Sequence, residues 1–446
     1  MKTVFEKPAL CLPEVYLPSK NTDPVKWSVI ACDQYTSQPD YWEKTAEFVG
    51  DKPSSLNLIL PEVFLGTERE KILTDHIHES MDEYLDDNTL VKHGPGIFLC
   101  EREVSGGRTR KGMLCCLDLE HYDYSKSSKS LIRPTEGTII ERIPPRIKVR
   151  QQASLETPHI MVLIDDPEKK VIEPLFKDDS RKNLYDFNLM NNSGNIKGYM
   201  IDNETAAEKM TKNLTSLIEA ENYKKRYNLD SAKNPLLYAM GDGNHSFATA
   251  KAWWEKIKNE NKDDKNIKNH PARWALVEIV NIHDESIDFE PIHRIIFNTD
   301  PDKILNDFVS FFEERGSVVE ITETKHLEDV KQDDPEFHKI SFCCSEKKGV
   351  IKIKKPVRNI AAGDLQDALN NLSSKEPELK IDYIHGKTHL EELCKEKGNI
   401  GFLLPPVSKD SFFKSIIMDG ALPRKSFSMG EADDKRFYME CRKIVR

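Results

Sequence analysis

The sequence predicts an α/β to α+β protein with a mixed-sheet core and a smaller α+β unit behind it. Residues 236–240 form an apolar run suited to a buried strand. From Ser246 the pattern turns helical, with Phe247, Ala250 and Trp254 at spacings of three and four. Further apolar runs at 97–100, 112–119, 160–164 and 274–281 read as strands. Ser105-Gly106-Gly107-Arg108 fits a hairpin turn between the first two of these.

Taken in order, the elements group into four stretches. Residues 1–125 read as an N-terminal α/β segment, with short strands at 27–32 and 56–60 and an amphipathic helix from Glu68 to Leu85. Residues 126–300 form the central, motif-bearing core. Here a basic segment at 139–150 reads as a solvated strand face, and one long polar helix is expected between Asp202 and Tyr227. Residues 301–375 change character, with a helix at 303–315 and strands at 317–321, 340–344 and 350–355. Residues 376–446 return to the core, with the stretch Ile381–Gly386 followed by a short strand at 401–404.

At 446 residues, with 38% hydrophobic and 31% charged residues, the chain suits a globular protein with a large core. A formal charge of −10 argues against general nucleic-acid binding, which needs a basic surface, and leaves local pockets for small anions open. No apolar run approaches a membrane span, and Met1 to Pro8 lacks a signal-peptide core, so a cytoplasmic protein is expected. Nine cysteines without a CxxC pair fit a reducing compartment and argue against structural zinc. Cys115-Cys116 and Cys343-Cys344, in apolar runs, read as small buried hydrophobes. Oligomeric state is left open.

The chemistry concentrates at strand ends. Gly241-Asp242-Gly243-Asn244-His245-Ser246 joins the central strand to its helix. Glycine permits close approach to the main chain, and a helix start offers N–H groups to an anion. Asp242 and His245 add proton-transfer or metal chemistry. The competing reading is a plain helix cap by Asn244 or Ser246. In Ile132-Arg133-Pro134-Thr135-Glu136-Gly137-Thr138, Arg133 suits a phosphate or carboxylate and Glu136 a general base, against a local Arg–Glu pair. Arg424 and Lys425, with Ser426 and Ser428, form a loop able to close over phosphate, or simply a solvated basic loop. Asp33 reads as a turn acid or a ligand contact. His159, alone at a strand start, reads as structural, and His293-Arg294 as a further candidate anion contact.

Together with Pro158-His159, residues 290–294, 383–386 and 422–430, the Gly241–Ser246 turn and the Arg133–Thr138 motif resemble a bacterial and protist family catalogued as a domain of unknown function. That family's usual central motif is Asp-Gly-His-His-Arg; here Asn244 and Ser246 replace its first His and its Arg. The Asp-Gly-x-His turn is also similar to that of free serine kinases of the ParB/sulfiredoxin-like superfamily. The resemblance implies ParB/sulfiredoxin-like features in the sheet core and transfer of phosphate from ATP or ADP, with Mg2+, to free L-serine, giving O-phospho-L-serine. On this reading Gly241, Gly243, Asn244 and Ser246 cradle phosphate, with Thr135 and Thr138 nearby. Asp242 holds magnesium, Glu136 takes the hydroxyl proton, and His245 donates in the transition state. Arg133, Arg146, Arg424 and Lys425 clamp phosphate. The expected partners are a nucleotide and a small hydroxy amino acid, with no nucleic acid or membrane. The alternatives are a nucleotide- or phosphometabolite-binding regulator without turnover, a metal-dependent hydrolase using Asp242, His245 and Asp33, and a scaffold.

Overall fold

A computed structural model describes residues 1–231, 234–330 and 336–446. The chain divides into two compact units. The first comprises 1–134, 138–287 and 430–446; the second comprises 135–137 and 288–429.

The first unit is built on a mixed sheet. Its main path runs Lys182–Asn188, Asn195–Ile201, Ile97–Val104, Arg108–Asp118, Trp274–Asn281, Met161–Ile164, Tyr238–Asp242 and Ile132–Arg133. Trp274–Asn281 with Met161–Ile164, and Tyr238–Asp242 with Ile132–Arg133, are the parallel pairs on this path; the other pairings are antiparallel. Alternation along the strands feeds two cores, because successive side chains point to opposite faces. Leu99, Met113, Cys115 and Val277 pack on one face with Phe247, Ala250 and Trp254 of helix Asn244–Glu260. Phe98, Cys100, Leu114, Cys116 and Leu276 pack on the other with Ile77, Met81 and Tyr84 of helix Arg69–Asp86. The paired cysteines are buried and unbridged.

The second unit carries an antiparallel sheet in the order Val318–Thr324, Lys348–Lys354, Phe337–Cys344, Ile400–Leu403, Phe289–Phe297 and Lys380–His385. Helices Pro301–Glu313 and Ala361–Lys375 belong to it, the first with Ile304, Leu305, Phe308, Phe311 and Phe312 buried. The whole is thus an α/β to α+β protein with a large mixed sheet and a separate antiparallel one.

Four local expectations are corrected. Residues 56–60 are not a strand: Ser54 Oγ accepts the Leu56 N–H and starts a 3-10 turn, Ser55–Leu58. The buried segment at 27–32 begins as the end of helix Pro24–Trp27 and makes a single bridge at Ile30. The long polar helix is two, Glu204–Ser216 and Ala220–Tyr227. The basic segment is not a strand face but a short helix, Ile143–Arg150, whose prolines sit in its first turn, where a missing N–H costs nothing.

Candidate functional site

Strand Tyr238–Asp242 delivers its last carboxylate to the turn into helix Asn244–Glu260. Gly243 is the N-cap, at φ 77° and ψ 26°, with no side-chain cap bond. A Cβ there would lie 3.0 Å from Ile160 Cα, so both the backbone angle and the space require glycine. Neither Asn244 nor Ser246 caps the helix. Ser246 Oγ lies 3.1 Å from His159 Nε2, and Asn244 Oδ1 is buried with no hydrogen-bond partner among the described residues. A helix start without a side-chain cap keeps its positive dipole end available to an anion.

Asp242 Oδ1 accepts the Gly243 N–H at 2.8 Å, and Oδ2 lies 3.2 Å from Lys435 Nζ. Burial raises the Asp242 pKa, but Lys435 and His159 outweigh it and hold the carboxylate below its usual range. His159 Nδ1 lies 2.7 Å from the Tyr438 hydroxyl and Nε2 lies 3.5 Å from Asp33 Oδ2. Burial works against its charge, yet Asp33, Cys32 and Asp242 raise the imidazole to about 10. At neutral pH the ring is therefore a cation that donates from both nitrogens. The Tyr438 hydroxyl also accepts the Cys32 N–H at 3.1 Å, which ties the turn at Asp33 to His159.

Lys435 and Tyr438 arrive on a segment fixed by buried arginines. Arg102 and Arg110 donate to the carbonyls of Asp433 and Asp434, each at 2.8 Å. Arg436 donates to the Pro158 carbonyl at 3.0 Å and is buried between Glu278 and Glu440. The Arg436 carbonyl accepts the Ala31 N–H at 2.9 Å. One short segment thus touches the main chain beside both Asp33 and His159 and places Lys435 against Asp242.

A cavity of about 150 Å³ opens beside His159 and Ser246. Leu58, Leu60, Met81, Val149 and Leu155 supply apolar walls, while His159, Ser246 and Tyr438 supply a polar end.

The other residues singled out in the sequence are distributed as follows. Gly241 lies in the strand itself. His245 Nε2 accepts the Ile139 N–H at 3.3 Å, which ties that nitrogen to the main chain. The Thr138 hydroxyl is buried beside the Tyr122 hydroxyl. Arg133 is buried and spends its guanidinium on the carbonyls of Ser130 and Asn234. Arg146 pairs with Glu62 and donates to the Arg142 carbonyl. These groupings turn the Arg133 and Arg146 forks toward protein oxygens rather than toward the Asp242 turn.

Thr135, Glu136, Arg424 and Lys425 belong to the second unit. There Leu422 N donates to the Thr135 carbonyl at 2.8 Å, Lys425 N to Glu136 Oε1 at 3.2 Å, and Arg424 Nε to the Gly137 carbonyl at 3.4 Å. His293 accepts the Leu404 N–H, and burial, helped by Arg294, lowers its pKa to about 4. Arg294 is fully buried, bonded to the Ile292 carbonyl and stacked over Tyr383. Neither member of that pair is an anion contact in this arrangement.

Sequence reasoning passed over Lys435 and Tyr438 entirely and set His159 aside as structural. Only Pro158-His159, and the polar cluster after residue 32, hinted at this grouping. Among the described residues, no group of three or more His, Cys, Asp or Glu side chains is arranged to hold a metal ion. No described helix is long and apolar enough to cross a membrane.

Fold and site define a mixed-sheet protein with a charged strand–glycine turn–helix centre. Residues 15–373 match the family described as "Protein of unknown function (DUF1015)", and the chain belongs to that family. No curated protein matches it. Among solved structures it is similar to a free serine kinase in complex with AMP, at 11% identity and a TM-score of 0.36, covering 73% of this chain and 90% of that one. It is similar to a conserved hypothetical protein from Pyrococcus furiosus, at 11% identity and a TM-score of 0.32, covering 70% and 89%. A third is SbnI with a C-terminal truncation from Staphylococcus aureus, at 10% identity and a TM-score of 0.33, covering 71% and 82%.

Proposed function

We propose that the chain is a phosphotransferase that moves phosphate from ATP or ADP to the hydroxyl of a small amino acid, with free L-serine the first acceptor to test. The observation that supports this reading is the Asp242 turn. Its helix start has no side-chain cap, its carboxylate is held ionised, and Lys435 and a cationic His159 stand beside it. Phosphoryl transfer needs positioning and charge stabilisation more than covalent chemistry, and this set is built of charge.

In the proposed roles, the N–H groups of Asn244, His245 and Ser246 and the Lys435 ammonium bind phosphate oxygens. His159 stabilises charge on the transferred group. Magnesium asks for few protein ligands when phosphate supplies the rest, so the Asp242 carboxylate fits it in kind. A bound ion would supply charge neutralisation between phosphate oxygens. His245 is kept as a proposed donor through its Nδ1. Glu136 is kept as the proposed base for the acceptor hydroxyl.

The test is phosphoryl transfer by the purified protein with magnesium, ATP or ADP, and a panel of free hydroxy amino acids. Phosphoserine formation that falls about 100-fold or more in Asp242→Asn, the scale of losing one electrostatic contact, ties the reaction to the turn. Near-normal turnover in a folded Glu136→Gln protein removes Glu136 from the mechanism. Nucleotide binding without transfer to any acceptor replaces the kinase by a regulator.

A further inference from the structure

We propose that the cavity beside His159 and Ser246 is a binding site for a small aliphatic hydroxy acid, with its hydroxyl at Ser246, its carboxylate at Arg150 and its chain among the leucines. The walls decide the body of the ligand. Leu58, Leu60, Leu65, Met81, Val149 and Leu155 are aliphatic or thioether side chains. Besides the His159 imidazole, the lining ring is Tyr438, whose hydroxyl is engaged by His159 and by the Cys32 N–H. A purine or other flat heterocycle is usually received by aromatic faces, whereas an alkyl chain is received by walls like these. Free serine carries an ammonium and a carboxylate on a single carbon and would leave such walls uncovered.

The polar groups decide the two ends. Ser246 Oγ meets His159 Nε2 at 3.1 Å and retains capacity for a second hydrogen bond, because a hydroxyl both donates and accepts. On the wall, Arg150 pairs with Glu156 through Nη2. Glu156 is shared with Arg442, at 2.6 Å, so this cluster of two arginines and one glutamate has a surplus positive charge that suits a carboxylate. The other ion pair of the lining, Arg146 with Glu62, is balanced.

This inference does not rest on phosphoryl transfer, and its test uses binding alone. Calorimetry on the full chain with 3-hydroxybutyrate, 3-hydroxyhexanoate and 3-hydroxyoctanoate, without nucleotide, should show affinity rising about fourfold per methylene until the cavity is full. Ala153→Trp, which places an indole on the cavity wall, should flatten that series. In protein carrying 13C-methyl methionine, the Met81 methyl signal should move on titration, a readout that needs no variant. A flat series in the unaltered protein overturns the proposal, as does a Met81 signal that stays still at saturation. Displacement of the hydroxy acids by adenosine alone would also overturn it, by assigning the cavity to a nucleoside.

Discussion

Each unit contains a histidine facing an aspartate, and the two pairs differ in a way their sequences conceal. In the second unit, His338 Nδ1 lies 2.8 Å from Asp364 Oδ2, with side chains 0% and 1% exposed. Asp364 also accepts the Arg358 N–H at 3.0 Å, and His338 Nε2 has no hydrogen-bond partner among the described residues. In the first unit, His159 and Asp33 stand 3.5 Å apart, at 7% and 23% exposure, beside a cavity and a second carboxylate. The shorter pair is sealed and holds strand Phe337–Cys344 to helix Ala361–Lys375. The longer one has access. Closeness of an acid and an imidazole therefore marks packing as readily as chemistry, and it is the open side that separates them.

The largest expected effect breaks the sealed pair. Asp364→Ala strands His338 and the Arg358 N–H in the core, and should cost about 3 kcal/mol or more in denaturant unfolding, whereas Asp33→Ala should cost about 1 kcal/mol or less. Equal costs would erase the distinction between the pairs. Next comes the glycine contrast. Gly243→Ala meets both a positive φ and the Ile160 Cα at 3.0 Å, whereas Gly398→Ala in the second unit meets a φ of 87° with its nearest neighbour at 3.5 Å. The first should lose about 1–3 kcal/mol together with any phosphate binding; the second should lose about 1 kcal/mol from backbone strain alone. Thermal melts with and without inorganic phosphate separate the two.

A third contrast concerns pH. The His159 imidazole is raised from 6.5 to about 10, so the folded state binds its proton more tightly than the unfolded chain. Its contribution to stability is complete below about 6.5 and is lost as pH rises through about 10. Urea midpoints between these values should fall more steeply for the unaltered protein than for His159→Gln. Parallel curves would show that the ring is neutral in the fold.

Local pattern carried much of the architecture. The apolar run before Asp242, the spacing of Phe247, Ala250 and Trp254, and the Gly106-Gly107 turn all act within a few residues, and strands and helices appear at those places. Where a side chain competes with the backbone, as at Ser54, or where proline begins a helix, as at 143–150, the same local reading goes astray. The central turn was readable for a similar reason, since Gly243 and Asp242 are neighbours in sequence. Lys435, Tyr438 and His159 meet only through tertiary contacts across hundreds of residues, and Lys435 and Tyr438 lie in no periodic segment. The burial of Arg133 and Arg294 was equally invisible, because an arginine bonded to carbonyls and one poised for phosphate look alike in sequence.

The threading of residues 430–446 through the first unit has a consequence for synthesis on the ribosome. Most of that unit is translated early, but Lys435, Arg436 and Tyr438 emerge only after the whole stretch 288–429 has been made. Until then Asp242 lacks its ammonium partner, and the main chain beside Asp33 and His159 lacks Arg436. A nascent chain can assemble its sheet early and still carry no finished centre, so the centre is completed late in translation.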